Sequence, residues 1–111
     1  MTYVPIGCFK DKQTAGRPLP ELIANHRKNI NWHQMSETVQ KCANDTWQRQ
    51  FPVFGVQFYG ECWSGAEGYV TYNKDGFNLD GCWEGVGRTS NNYVYAFTSK
   101  KPCCKLLVIA L

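Results

Sequence analysis

A chain of 111 residues is long enough for one domain, which at this size removes roughly 65% of the unfolded chain's surface from water. The net charge of +3 is mild, and the basic residues (Lys10, Lys12, Arg17, Arg27, Lys28, Lys41 and others) are interspersed with acids, which excludes the concentrated basic face of a nucleic-acid binder. Aromatics make up 14% of the residues, and four of them are Trp, more ring surface than one modest core absorbs.

In chain order, YVPIGCF (Tyr3 to Phe9) reads as an opening strand, β-branched and aromatic, with Pro5 placing it at a sheet edge. DKQTAGRPLP is a loop, and Pro20 is placed to start a short helix, PELIANHR. From Met35 to Gln50, the residues Met35, Val39, Cys42, Ala43 and Trp47 recur at spacings of three and four, which predicts one amphipathic helix capped by Ser36 or Asn31, with Cys42 facing inward. VFGVQFYG alternates Phe54, Val56 and Phe58 with Gly55, Gln57 and Tyr59, a strand with one core face and one partly covered face. YVTYN (Tyr69 to Asn73) and NYVYAF (Asn92 to Phe97) repeat the alternation. Between them lies a long loop rich in Gly, Asn and Asp that contains Cys82, and a loop of that length in a small domain is functional or covalently tied. The closing KLLVIAL is too short for a membrane span of about 20 residues, so 98–111 reads as a C-terminal tail or final strand, with no direct membrane insertion.

The sum is a single α+β domain over 1–111, an antiparallel sheet packed on one main helix at about 35–50, stapled by disulfides. The cysteines Cys8, Cys42, Cys62, Cys82, Cys103 and Cys104 form no CxxC pair, and only His26 and His33 are available to complete a zinc site, so disulfides and a secreted, oxidising setting are expected. A Cys42–Cys62 bridge would tie the inward helix face to the strand beneath it. Cys8 is then expected to meet Cys103 or Cys104, with Cys82 taking another partner. The sequon Asn44-Asp45-Thr46 makes Asn44 a glycosylation candidate. MTYVPIGC has neither the basic n-region nor the apolar h-region of a signal peptide.

The block FGVQFYGECWSG (54–65) asks for explanation, because its apolar run gives way to an acid, a cysteine and a tryptophan. Sugars present C–H faces that stack on rings and hydroxyls that need fixed donors and acceptors. Tyr59 and Trp63 as plates, Glu61 as acceptor and a tight exposed turn at Ser64-Gly65 suit that chemistry. Tyr72, Asp80, Trp83, Glu84 and Arg88 from the following loops are candidates to complete the cleft. For any single Trp beside a cysteine, packing on the disulfide is the commoner role; the group as a whole points to binding.

GCFKD (7–11), RPLP (17–20), MSETVQKCA (35–43) and FGVQFYGECWSG, with TYNKDG and NYVY further on, resemble the ordered landmarks of WSC and PAN-type extracellular modules over residues 3–97. The nearest likeness is to WSC-like modules of secreted and membrane-anchored proteins of aquatic invertebrates. The resemblance implies a carbohydrate-binding or adhesive module whose partner is a glycan or glycoprotein. WSC modules usually carry eight cysteines; positions such as Trp63 stand here where that family has others, so neither its disulfide map nor its sugar contacts carry over.

Other chemistries are weaker. Asn73, Asp75, Asn78 and Asp80 suit calcium in outline but lack the EF-hand glutamate, and turn chemistry explains Asp-Gly twice over. No nucleophile elbow, H-E-x-x-H or glycine-rich phosphate loop accompanies His26 and His33, both read as surface residues, and a Glu61/Glu84 pair would need a larger scaffold to act as a glycosidase, so no enzyme and no cofactor are expected. The alternative to a lectin-like module is a structural or adhesive interaction domain, including a homo-oligomer formed through the apolar tail or a spare cysteine.

Overall fold

The computed structural model describes residues 1–99; Cys103, Cys104 and KLLVIAL, and the expectations placed on them, lie outside the described residues. Strands β1 (Tyr3–Lys10), β2 (Glu21–Asn25), β3 (Val53–Gln57), β4 (Glu61–Ser64) and β7 (Asn91–Phe97) form an antiparallel sheet in the order β1-β7-β3-β4-β2. β5 (Cys82–Trp83) and β6 (Val86–Gly87) make a separate small hairpin. Helix α1 (Ser36–Arg49) packs on one face of the sheet, and a one-turn helix α2 (Gly68–Thr71) lies beyond β4. This is the α+β domain expected from the sequence, with β1 at an edge as Pro5 implied. β1 carries a bulge between Pro5 and Gly7, an irregularity that interrupts an edge's flat pairing template.

The helix face of the sheet is covered by the inward stripe of α1. Met35, Val39, Cys42 and Ala43 meet Phe54, Val56, Cys62, Val86 and Tyr95 in one cluster, with Phe54 stacked on Tyr95 at 5.1 Å. α1 begins without a side-chain cap: Met35 occupies the N-cap position, and Asn31 reaches Glu37 instead. The expected cap by Ser36 or Asn31 therefore does not form. Met35 is buried, so the start of the helix is held by packing.

The opposite face was expected to be partly open, yet every residue of β3 is buried. The loop 11–20 folds across it and inserts Leu19, which packs with Phe9, Val53 and Val94. Only glycine fits at position 55, since a side chain there would collide with Leu19 and Asn92 at 2.7 and 2.8 Å. Asp11 pins the loop: fully buried, it accepts from Arg17 at 2.9 Å, from Gln57 Nε2 at 3.0 Å and from the Gln13 backbone N–H at 2.8 Å.

Two elements depart from the sequence reading. Residues 21–25 form β2, an edge strand on β4, where a helix was expected; Ile23 and Ala24 face the core and Leu22 stays exposed. A short apolar run takes whichever structure finds a partner, and the free side of β4 supplied one. Tyr69 to Asn73 was expected as a strand, but both sides of β4 are already paired, with β3 and β2. The segment closes its own hydrogen bonds as α2, with Val70 N–H on Glu67 O at 2.9 Å and Tyr72 N–H on Gly68 O at 3.0 Å.

Two disulfides staple the fold. Cys42–Cys62 joins α1 to β4 as expected. Cys8 bonds Cys82, not Cys103 or Cys104, because the loop after α2 runs back along β1: Asn78 N–H donates to Cys8 O at 3.0 Å, and Phe77 bridges Phe9. With 74 residues enclosed, this bridge contributes about 4 kcal/mol on a loop-entropy basis, and the 20-residue loop of the other about 3 kcal/mol.

Asp11→Ala should destabilise the domain by about 3 kcal/mol, because it strands Arg17 and Gln57 beneath the loop; urea denaturation measures it. Burial raises the phenol of Tyr95 above its ordinary value of 10.0, and its hydroxyl donates to Gly85 O at 2.6 Å. The unfolded phenol ionises first, so this contribution is complete below about pH 10 and is lost as pH rises through the folded value. Alkaline titration followed by circular dichroism should show stability falling above about pH 10, with a shallower fall in Tyr95→Phe.

Candidate functional site

The block that opened the question resolves into a turn. β3 ends at Gln57, and Gly60 N–H closes on Gln57 O at 3.2 Å around Phe58 and Tyr59, whose φ values are 51° and 69°. Two successive left-handed residues make the tight hairpin turn that normally calls for Asn-Gly, and two aromatics there carry a strain of order 1 to 2 kcal/mol each. The surroundings hold them. Tyr59 N–H donates to Gly87 O at 2.9 Å and Phe58 N–H to Arg88 O at 3.3 Å, while the Arg27 guanidinium lies 3.5 Å above the Phe58 ring. Ser64 and Gly65, expected as an exposed turn, are buried instead, with the Ser64 hydroxyl on Val53 O.

The turn sets the half-buried Tyr59 ring at the margin of the helix-face cluster, 5.5 Å from Trp32, which in turn lies 6.3 Å from Trp83. Three segments remote in sequence therefore meet. Trp32 comes from the loop before α1, shaped by Asn31, whose Oδ1 accepts the His33 backbone N–H at 3.1 Å. Trp83 comes from the β5–β6 hairpin, which Cys82 anchors to β1 and the Tyr95 hydroxyl to the core. Gly87 is obligatory in that hairpin, since a side chain there would overlap the Asn91 carbonyl. Trp32, Tyr59, Trp83 and Arg88 line an open cleft of about 410 Å³, within the range of small-ligand sites. Trp32 is 53% exposed. Among the described residues, neither the indole N–H groups of Trp32 and Trp83 nor the Tyr59 hydroxyl has a hydrogen-bond partner.

The remaining predicted residues lie elsewhere. Trp63 and Glu61 project from the other face of β4; the Trp63 N–H donates to Glu61 Oε1 at 3.1 Å, and Arg17 covers the ring at 3.7 Å. That pair is satisfied within the protein and belongs to the loop-covered face. Tyr72 packs edge-on against Phe9 at 5.1 Å in the same far cluster. Asp80 is exposed, with its backbone carbonyl accepting from Arg88, and Glu84, next to Trp83, sits exposed at the left-handed tip of the β5–β6 hairpin, outside the lining of the cleft. Glu61 and Glu84 are thus on different parts of the fold.

Sequence reading missed Trp32. Its signal was only an aromatic in a polar loop, NINWHQ, with nothing local to say that Tyr59 and Trp83 would come beside it. Asp45 was also missed: His26 is half-buried, not a free surface residue, and its Nε2 meets Asp45 Oδ2 at 2.7 Å.

Among the described residues, the one group of three or more His, Cys, Asp or Glu within ligand reach is His26, Asp45 and Cys62, whose ligand atoms lie within 4.8 Å of one another. The Cys62 sulfur is bonded to Cys42, so the trio lacks the thiolate a zinc site would use. Of the calcium candidates, Asp75 accepts the Lys12 backbone N–H at 2.9 Å, the Asn73 backbone carbonyl accepts Gly76 N–H, and the Asn78 side chain donates to Asn91. Asn44 is exposed on α1, while Thr46 of the same sequon is buried and donates to Cys42 O at 2.8 Å. No described helix is long and apolar enough to cross a membrane. Comparison with models of protein families, with curated proteins and with solved structures finds no match to this chain.

Tyr59→Gly should leave unfolding stability within about 1 kcal/mol of the parent, because relief of the left-handed strain offsets the lost ring packing. Denaturant titration checks this. A loss of several kcal/mol would show that Tyr59 is there for the fold alone.

Proposed function

We propose that this domain is an extracellular, lectin-like module that binds glycans on the Trp32–Tyr59–Trp83 shelf. The observation that carries the reading is the contrast between two tryptophans that each follow a bridged cysteine. Trp63 has its N–H and its ring face occupied by protein, whereas Trp83, with Trp32, keeps its N–H unpartnered beside an open cleft. A sugar supplies what such a surface lacks: C–H faces for the rings and hydroxyl acceptors for the indole donors. The strained turn supports the same reading, since left-handed backbone at two successive aromatics is the kind of cost that clusters at ligand sites. The motifs that resemble WSC-like modules, and the secreted setting that the disulfides imply, belong to this proposal.

One observation favours a second reading, a protein-interaction domain. Ile6, Phe77 and Leu79 line a groove beside the β1 edge, and Phe77 and Leu79 are 57% and 76% exposed. Light scattering after size exclusion separates the two, because that reading expects a dimer which Leu79→Asp dissolves.

A glycan array on the purified domain, followed by titration of the best oligosaccharide, tests the first reading. Trp32→Ala should weaken binding by at least about tenfold with little change in stability, since the ring is half in solvent. An array on which the parent and Trp32→Ala give the same profile overturns it.

A further inference from the structure

We infer that the glycan carries an anionic group, a carboxylate or a sulfate, which Arg88 receives at the end of the ring shelf; this rests on the glycan reading above.

Arg88 lines the same cleft as the three rings. Its Nη1 donates to the Asp80 carbonyl at 3.0 Å, which orients the guanidinium and leaves the rest of its donor fork unused. No carboxylate neutralises it: the ion pairs among the described residues are Arg17–Asp11, His26–Asp45 and Arg49–Glu21. No Asp or Glu lines the cleft either. A second guanidinium, Arg27, lies over Phe58 in the turn that presents Tyr59 and is likewise outside any of those ion pairs. The two arginines thus flank the Phe58–Tyr59 turn, one against its ring and the other through its backbone carbonyl. A planar fork with spare N–H groups is the side chain that best matches the paired oxygens of carboxylate and sulfate.

The competing ligand for an aromatic cluster is a quaternary ammonium. Arg88 in the same lining would repel such a cation. Trp32 adjoins both neighbours, at centroid distances of 5.5 and 6.3 Å, which offers a ligand a run of rings to lie across. A pyranose lying across the rings with its acidic substituent toward Arg88 satisfies both features.

The test is calorimetric titration of the intact domain with three hexasaccharides of matched length: one sulfated, one built of uronic acids, one neutral. At least one anionic probe should bind at least about tenfold tighter than the neutral one, and its affinity should fall as NaCl is raised. Arg88→Gln should remove that advantage, so that anionic and neutral probes bind this variant alike, and Arg88→Lys should restore it only in part. Thermal midpoints equal to the parent's exclude a folding defect. Equal affinity for anionic and neutral probes, lost in Trp32→Ala but untouched in Arg88→Gln, overturns this inference and leaves the glycan reading standing. Binding of no probe, or anionic binding that survives Trp32→Ala, overturns both, the latter by reducing the interaction to charge alone. Whether the sulfated or the uronic probe wins identifies the source of the anion.

Discussion

The structure depends on covering both faces of β3. A central strand in a sheet with one main helix would have one wet face; here the described residues hold no second long helix, and the loop 11–20 covers that face instead. A loop brings polar backbone and few apolar side chains to that task, so the covering combines a single fully buried leucine, Leu19, with hydrogen bonding. Asp11, Arg17, Gln13, Gln57 and Asn92 form one connected network, in which the carboxylate accepts from three neighbours. Gln57 and Asn92 stand on adjacent strands where apolar residues would otherwise stand, which commits this face to the loop. The absence of a side chain at Gly55 lets Leu19 reach the strand.

That constraint decides what happens at the end of β3. The strand cannot continue past Gln57 and must return at once as β4, whose Cys62 is bonded to α1. The turn falls on Phe58 and Tyr59, residues unsuited to left-handed backbone, and neighbouring structure holds it there. The backbone of the β5–β6 hairpin and Arg88 receives its N–H groups, and Arg27 lies on Phe58. The hairpin is itself held by Cys8–Cys82 and by the Tyr95 hydroxyl. Covalent and backbone contacts therefore hold the turn of Tyr59 and the hairpin of Trp83, while Trp32 comes from the loop before α1. Such preorganisation lowers the ordering cost of binding.

Cys62-Trp63 and Cys82-Trp83 are the same dipeptide with opposite outcomes. In β4, strict alternation sends the bridged sulfur toward α1 and the indole to the loop-covered face, where Arg17 and Glu61 close over it. In β5, a two-residue strand outside the main sheet, the half-buried indole packs against the helix-face cluster and Trp32. Both indoles are half-buried, so partnering and not residue type or burial separates them: Glu61 and Arg17 occupy the N–H and ring face of Trp63, and the Trp83 N–H has no protein partner among the described residues.

Much of the architecture was legible in the chain. The spacing of Met35, Val39, Cys42 and Ala43 specifies an amphipathic helix by itself, and the alternation in 3–9 and 92–97 specifies strands, because these patterns concern residues within one or two turns of each other. The Cys42–Cys62 bridge follows, since an inward helix position and an inward strand position must face one another. Among the site candidates, Tyr59, Trp83 and Arg88 line one cleft, while the others lie outside it. Tertiary structure alone decided the rest. ELIAN became a strand and YVTY a helical turn according to which strand edges were still unpaired, a property of the assembled sheet. Cys8 found Cys82 because a loop ran back along β1, and Trp32 reached the shelf across 27 residues of separation from Tyr59. Those outcomes depend on which distant surface is left open once the others have closed, and no local pattern of residue types encodes it.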